Sequence, residues 1–260
     1  MAASADPAVR PASTLLLLRD SPRFEVLMVE RHRQIEFASG ALVFPGGKTH
    51  AGDLDEAWDA HASGWSGTDS LQRVLRIAAI REVFEEAGVL LARDARGGPL
   101  EAEPYSLELR QAVDRGEVPF LDVVREAGAQ LDLDALTVFA RWITPSFAAK
   151  RFDTWFYVAH APAGQLAACD GRETVDACWL TPAEALEAAQ TGRRKVVFPT
   201  RMNLMRLAEA RAAEEAISQA RVRPAYAVEP QVEERPEGKM LVLPEAAGYG
   251  PVAEPLASVI

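Results

Sequence analysis

Residues 77–89 constrain this chain more than any other stretch. Ile77, Ile80, Val83, Phe84 and Ala87 recur at helical spacing and gather on one side of a wheel that advances ~100° per residue. Glu82, Glu85 and Glu86 fall within about 100° of one another on a different side. Three carboxylates so placed repel, and each raises the pKa of the others unless a cation sits among them. A divalent metal ion gives such a face a purpose; a solvated acidic surface is the plain alternative. Gly88 follows, a residue suited to closing a helix in the left-handed conformation.

Upstream stand Phe44-Pro45-Gly46-Gly47 and then Asp53. The glycine pair reads either as an ordinary turn or as a close approach of backbone to a charged site. Asp53 reads either as part of that site or as the N-cap of a segment beginning near Leu54.

Taken together, Gly47, Asp53 and Arg81-Glu82-Val83-Phe84-Glu85-Glu86-Ala87-Gly88-Val89 resemble the signature of the Nudix hydrolases. The second half matches at every specified position. In the first half, Asp53 stands where the family usually has Glu, and the 27 residues 54–80 separate it from Arg81, an insertion of 20. Similar interruptions occur in the branch that includes peroxisomal coenzyme A diphosphatases and their bacterial relatives. Val26–Arg31, Gly40–Gly47, Trp142-Ile143-Thr144-Pro145 and Arg151-Phe152-Asp153-Thr154 also look like that branch, so the resemblance runs from about Thr14 to about Leu207.

The resemblance implies an α/β/α sandwich with a mixed sheet, and hydrolysis of a diphosphate that links a nucleoside to another group. It implies Mg²⁺ or Mn²⁺, which hard oxygen ligands select and which cancel the repulsion between an anionic substrate and the carboxylates. Glu82 and Glu86 are the expected principal ligands, since i and i+4 side chains project side by side. Glu85 is a further ligand or the water-activating base, and the Gly47 carbonyl is another ligand by analogy. Arg81 is expected to hold a carboxylate, Asp53 or Glu85, with Gly46 and Gly88 as structural support. Glu173, before a strand and Trp179, is the candidate acid from outside the box; a strand-edge charge is its alternative. Arg31, Arg33 and Arg151 are candidate phosphate contacts. For Arg151 an ion pair with Asp153 is equally open, and for the other two a solvated strand end. Coenzyme A or an acyl derivative is the leaning substrate, giving 3′,5′-ADP and a phosphopantetheine product. ADP-ribose or another nucleotide diphosphate, and a non-catalytic nucleotide-binding module, are the alternatives. Ala38 stands where the coenzyme A enzymes carry a His.

A formal charge of −10 argues against a nucleic-acid surface, which needs clustered Lys and Arg. Cys169 and Cys178 have no metal-type spacing. No apolar run approaches the ~20 residues needed to span a bilayer, and Ala257–Ile260 is unlike a peroxisomal Ser-Lys-Leu address, so a cytoplasmic enzyme is the expectation, with a homodimer left open. Along the chain we expect a loose arm over 1–12 and one domain over 13–222. Within it fall the insertion 54–80 and a helical cap at 105–130. A single long helix is expected over Thr200–Arg221, and an extended Pro-rich tail over 223–260 with one strand, Met240–Leu243.

Overall fold

A computed structural model of the chain describes residues 8–32, 38–64, 69–100 and 104–258. In chain order it runs β1 (Val9–Arg19), β2 (Glu25–Arg31), β3 (Leu42–Val43), β4 (Gly46–Lys48), β5 (Ala62–Ser63), α1 (Ser70–Ala87), β6 (Ala92–Asp94), α2 (Leu107–Asp114), α3 (Phe120–Glu126), β7 (Ala129–Asp132), β8 (Thr137–Ile143), β9 (Arg151–His160), β10 (Thr174–Leu180), α4 (Pro182–Gln190), α5 (Phe198–Leu207), α6 (Ala213–Val222), β11 (Ala227–Val228), β12 (Gln231–Arg235), β13 (Gly238–Val242) and β14 (Ala253–Pro255).

The main sheet has the order β10-β2-β1-β9-β8-β11, with β3 added to β2 and β4 to β1. It is mixed: β1 and β9 are parallel from Val9↔Arg151 to Leu18↔His160, while β8 is antiparallel to β9 and β10 to β2. The unbroken run Leu15–Leu18 shows why β1 is central. Leu15 and Leu17 join the core with Ile77, Ile80, Val83 and Phe84 of α1, and Leu16 and Leu18 join a second core with Phe198, Met202 and Ile217. A strand covered on both faces needs no polar alternation. The result is the α/β/α sandwich, with α1 on one face and α5 and α6 on the other.

The insertion and the cap are joined. β5 from the insertion pairs with β7, which also pairs with β6. Phe120 of α3 lies 5.7 Å from the Trp58 ring and 5.4 Å from that of Phe84. The cap thus packs on Phe84 of α1 and Trp58 of the insertion, in the same core as Leu15 and Leu17. Asp69 caps α1 by accepting from the Gln72 N–H, and Gly88 ends it at φ 73°.

Several expectations are corrected. Strand β1 starts at Val9, so the loose arm does not reach residue 12. Of the two readings of Gly46 and Gly47, the ordinary turn is set aside: both lie in β4, against Thr14 and Ser13 of β1. The long helix over Thr200–Arg221 is two helices, broken after Leu207. The C-terminal tail carries four strands where one was expected. β11 extends the main sheet, and β12, β13 and β14 form a small sheet whose Leu241 and the following Leu243 pack into the core. Among the described residues no helix is long and apolar enough to cross a membrane.

Candidate active site

The acidic residues of α1 do not face open solvent. Glu82, Glu85 and Glu86 are 8%, 5% and 3% exposed, and Arg81 and Asp53 are as deeply buried. They are organised around one guanidinium. Arg81 Nε donates to Asp53 Oδ1 at 2.9 Å and Nη2 to Asp53 Oδ2 at 3.2 Å. Its Nη1 donates to Glu82 Oε1 at 3.0 Å and to Glu85 Oε2 at 2.9 Å, and Nη2 also donates to the Lys48 carbonyl at 2.7 Å. The two segments on either side of the insertion therefore meet through Arg81 and Asp53. The backbone N–H of His50 fixes Asp53 further, at 2.7 Å from Oδ2.

Strand β4 brings the glycines against the helix. Gly46 N–H donates to Glu86 Oε2 at 3.0 Å. A Cβ on Gly47 would lie 2.5 Å from Glu82 Oε1, and one on Gly46 would lie 2.5 Å from the Ser13 carbonyl oxygen. Neither position has room for a side chain, which is the physical reason for two glycines here. Arg31, at the end of β2, stands 3.7 Å from both Glu86 and Glu173.

Burial pushes Glu82, Glu85 and Glu86 upward, Glu85 to about 8, although Arg81 pulls Glu82 and Glu85 down and Arg31 pulls Glu86 down. For Arg81, burial alone would favour the neutral form, and the carboxylates of Glu82, Asp53 and Glu85 more than reverse it. Burial and then Asp114 raise Glu173. Three carboxylates, Asp53, Glu82 and Glu85, thus share one fully engaged arginine, and Glu85 Oε1 and Glu86 Oε1 are buried without a hydrogen-bond donor among the described residues. Buried acceptors in that state call for a partner. Surplus negative charge, oxygen donors and orphaned lone pairs fit a hard divalent cation. Among the described residues no three Asp, Glu, His or Cys side chains converge tightly enough to hold an ion as they stand; Arg81 Nη1 lies between Glu82 and Glu85.

Arg151 does not join this cluster. It donates to the Thr144 carbonyl at 3.0 Å and to Glu229 Oε1 at 2.8 Å. Asp153 is held by Arg141 of β8 at 2.9 and 2.7 Å, so the Arg151–Asp153 pair gives way to one cross-strand pair and one from Arg151 to Glu229, just past β11. Arg33 lies outside the described residues. Two buried residues that sequence reasoning passed over complete the surroundings. Arg110 of α2 donates to the carbonyls of Phe84, Glu85 and Ala168. Asp170 gathers three backbone N–H groups just before β10. Neither lies in a motif; only their place in the fold distinguishes them.

A family model described as the NUDT19 Nudix domain matches residues 66–207, more than half of the chain. The chain belongs to that family. The matched span contains Arg81 to Gly88 and Glu173, while Gly47 and Asp53 precede it. Acyl-coenzyme A diphosphatase NUDT19 of Xenopus laevis is 26% identical over 227 residues, covering 71% of this chain and 60% of that protein. The protein of the same name from Homo sapiens is 28% identical over 207 residues, covering 64% of this chain and 55% of its own length. The chain therefore spans only somewhat more than half the length of these relatives. A crystal structure of a Nudix hydrolase from Alicyclobacillus acidocaldarius superposes with a TM-score of 0.72 at 28% identity, covering 82% of this chain and 97% of that one.

Proposed function

We propose that this chain hydrolyses the diphosphate bond of a nucleotide derivative with Mg²⁺ or Mn²⁺, and that the derivative is coenzyme A or acyl-coenzyme A, cut to 3′,5′-ADP and a phosphopantetheine product. One observation carries the hydrolytic reading: three buried glutamates on α1, two with orphaned oxygens, set against the glycines of β4. The coenzyme A reading is supported by the relatives named acyl-coenzyme A diphosphatase.

Glu82 and Glu86 would hold the ion, with Glu85 and the Gly47 carbonyl completing its oxygen donors. When bound, it supplies charge neutralisation for the diphosphate and acidifies a water. Arg81 keeps Glu82 and Glu85 aimed by gripping one oxygen of each. Arg31 has a buried Nε without a hydrogen-bond partner among the described residues, and its two 3.7 Å ion pairs are longer than hydrogen bonds, so it has donors for a phosphoryl oxygen. Glu173 is the group placed to take a proton. Its side chain is 41% exposed beside Arg31, and burial raises its pKa above the ordinary carboxylate value, the direction that makes a carboxylate a better proton acceptor. The oxygen of water attacks one phosphorus, the bridging P–O bond breaks, the departing phosphate keeps the electron pair, and the water proton passes to Glu173.

The test is product analysis with a panel of coenzyme A, an acyl-coenzyme A, ADP-ribose and NADH, each with Mg²⁺ or Mn²⁺. Release of 3′,5′-ADP from the first two is expected. Preferential cleavage of ADP-ribose would remove coenzyme A and keep the chemistry. Tight binding of one compound with no turnover of any would make the chain a nucleotide-binding module.

A further inference from the structure

Glu173 sits on a loop, between Gly171 at φ 70° and the start of β10, and a carboxylate so placed is poorly aimed unless its backbone is fixed. Asp170 supplies the fixing. It is 4% exposed. Its Oδ1 accepts from the N–H of Arg172 at 3.1 Å, the N–H of Thr174 at 2.7 Å and the hydroxyl of Thr174 at 2.8 Å. Among the described residues its Oδ2 accepts from one group, the N–H of Glu173 itself, at 3.1 Å. Three consecutive backbone amides are thereby turned toward one carboxylate, which leaves the Glu173 backbone little freedom.

The same loop is fastened to the end of the acidic helix. Ala168 N–H donates to the Ala87 carbonyl at 2.9 Å. The Thr174 hydroxyl stands 3.3 Å from the Glu86 carbonyl. Arg110 bridges the carbonyls of Glu85 and Ala168 at 3.0 and 2.8 Å, and Gln111 reaches the Asp170 carbonyl at 3.1 Å. The backbone that carries Glu173 is thus tied to the backbone that carries Glu85 and Glu86, residue against residue, although the Thr174 and Glu86 positions are 88 apart in the chain.

We propose that Asp170 is a positioning residue for the reaction: it holds Glu173 at a set distance from the glutamates of α1 and acts only through Glu173. This rests on the reading of Glu173 as the group that takes the proton. Asp170 is buried and its carboxylate is taken up by residues 172–174, so its removal should lower kcat while leaving KM nearly constant.

The atoms allow a selective test. In Asp170→Asn the amide oxygen can keep the three contacts of Oδ1, and the amide nitrogen then faces the Glu173 N–H donor to donor, breaking the one link that matters. Displacing a reacting group by about 1 Å can cost on the order of 10²-fold in rate, so kcat should fall at least about 10-fold. A double-mutant cycle with Glu173→Gln separates the roles. When Glu173→Gln is already present, adding Asp170→Asn should cause no further loss of kcat, although its effect on melting temperature persists. Equal losses with and without Glu173→Gln, or an unchanged kcat for Asp170→Asn alone, would overturn the positioning role. A near-normal kcat for Glu173→Gln would instead remove the role of Glu173 beneath it. If Asp170→Asn does not fold, Thr174→Val removes one of the four contacts to the Asp170 carboxylate, together with the hydroxyl's contacts to the Asp170 N–H and the Glu86 carbonyl, and the same cycle applies: a smaller kcat loss, most of it absent when Glu173→Gln is present, is expected, and its full persistence there refutes the proposal.

Discussion

Replacing Arg110 by Met should loosen the end of the acidic helix. A helix leaves its last carbonyls without intrahelical donors. At α1 those of Phe84 and Glu85 accept from Arg110 Nε at 3.1 and 3.2 Å, and Nη2 adds 3.0 Å to Glu85 and 2.8 Å to Ala168. Phe84 also accepts from the Gly88 N–H at 2.9 Å, so it keeps a partner in the variant. The buried carbonyl of Glu85 loses its donor, whereas that of exposed Ala168 can turn to water. An unsatisfied buried acceptor costs ~1–3 kcal/mol, and loss of a cation at a helix C-terminus adds ~0.3–1 kcal/mol. Met recovers some packing and avoids burying a charge, which offsets part of this. About 2 kcal/mol is the working figure, equivalent to a fall of ~4–8 °C in melting temperature for a chain of this size. Scanning calorimetry measures it, and activity should fall with it because Glu85 and Glu86 ride on the freed turn. Arg110→Lys, with one point charge in place of a fork, should recover only part. A Met variant that melts within about 2 °C of the parent at unchanged kcat would show that Arg110 does not hold this helix end.

Glu82→Gln and Glu86→Gln should each lower kcat by roughly 10²–10⁴-fold with the fold retained by circular dichroism; near-normal rates in both would remove the site. Gly47→Ala places a Cβ 2.5 Å from Glu82 Oε1, and because Arg81 grips that carboxylate, we expect a rate loss on the order of 10²-fold from its displacement; a fully active variant would mean the contact yields freely. The metal-free protein should lose stability as pH rises from about 4.5 to about 8. Burial raises Glu85 to about 8 in the folded state, so the folded chain keeps a proton that the unfolded chain sheds, and the benefit is complete below the unfolded value and gone above the folded one. Glu82 and Glu86 shift the same way. Melting curves at pH 5 and pH 8 should therefore differ without divalent ions and converge with Mn²⁺; identical midpoints in the metal-free protein would contradict the raised carboxylates.

What could be read from local sequence was read where a residue's role depends on near neighbours. The Leu15–Leu18 run marks a strand covered on both faces. Asp69 and Gly88 bound α1, and Thr181 with Glu184 forms the capping box of α4, because caps are made within a few residues. The order of strands and helices and the Arg81–Val89 motif sufficed for the sandwich. Boundaries were less legible. Thr200–Arg221 keeps a helical pattern across a break, since Leu207 and Ala213 on either side of it and Ala210 within it are buried as a continuous helix would also bury them. The tail strands are short, and β12 is exposed along its length, so no alternation announced it.

Tertiary structure alone decided the partners. Asp53 and Arg81 are 28 positions apart, and the inserted residues between them carry no trace of that contact. Arg151 was adjacent in pattern to Asp153 and found Glu229 instead, because the chain folds a distant segment closer than its own neighbour. Arg110 and Asp170 look like surface residues in the linear chain and are buried in the folded one. Sequence specifies which groups a segment carries and which face they share; the long-range backbone path specifies which lone pair each donor meets, and it is that path which turns an acidic helix face into a buried, charged site.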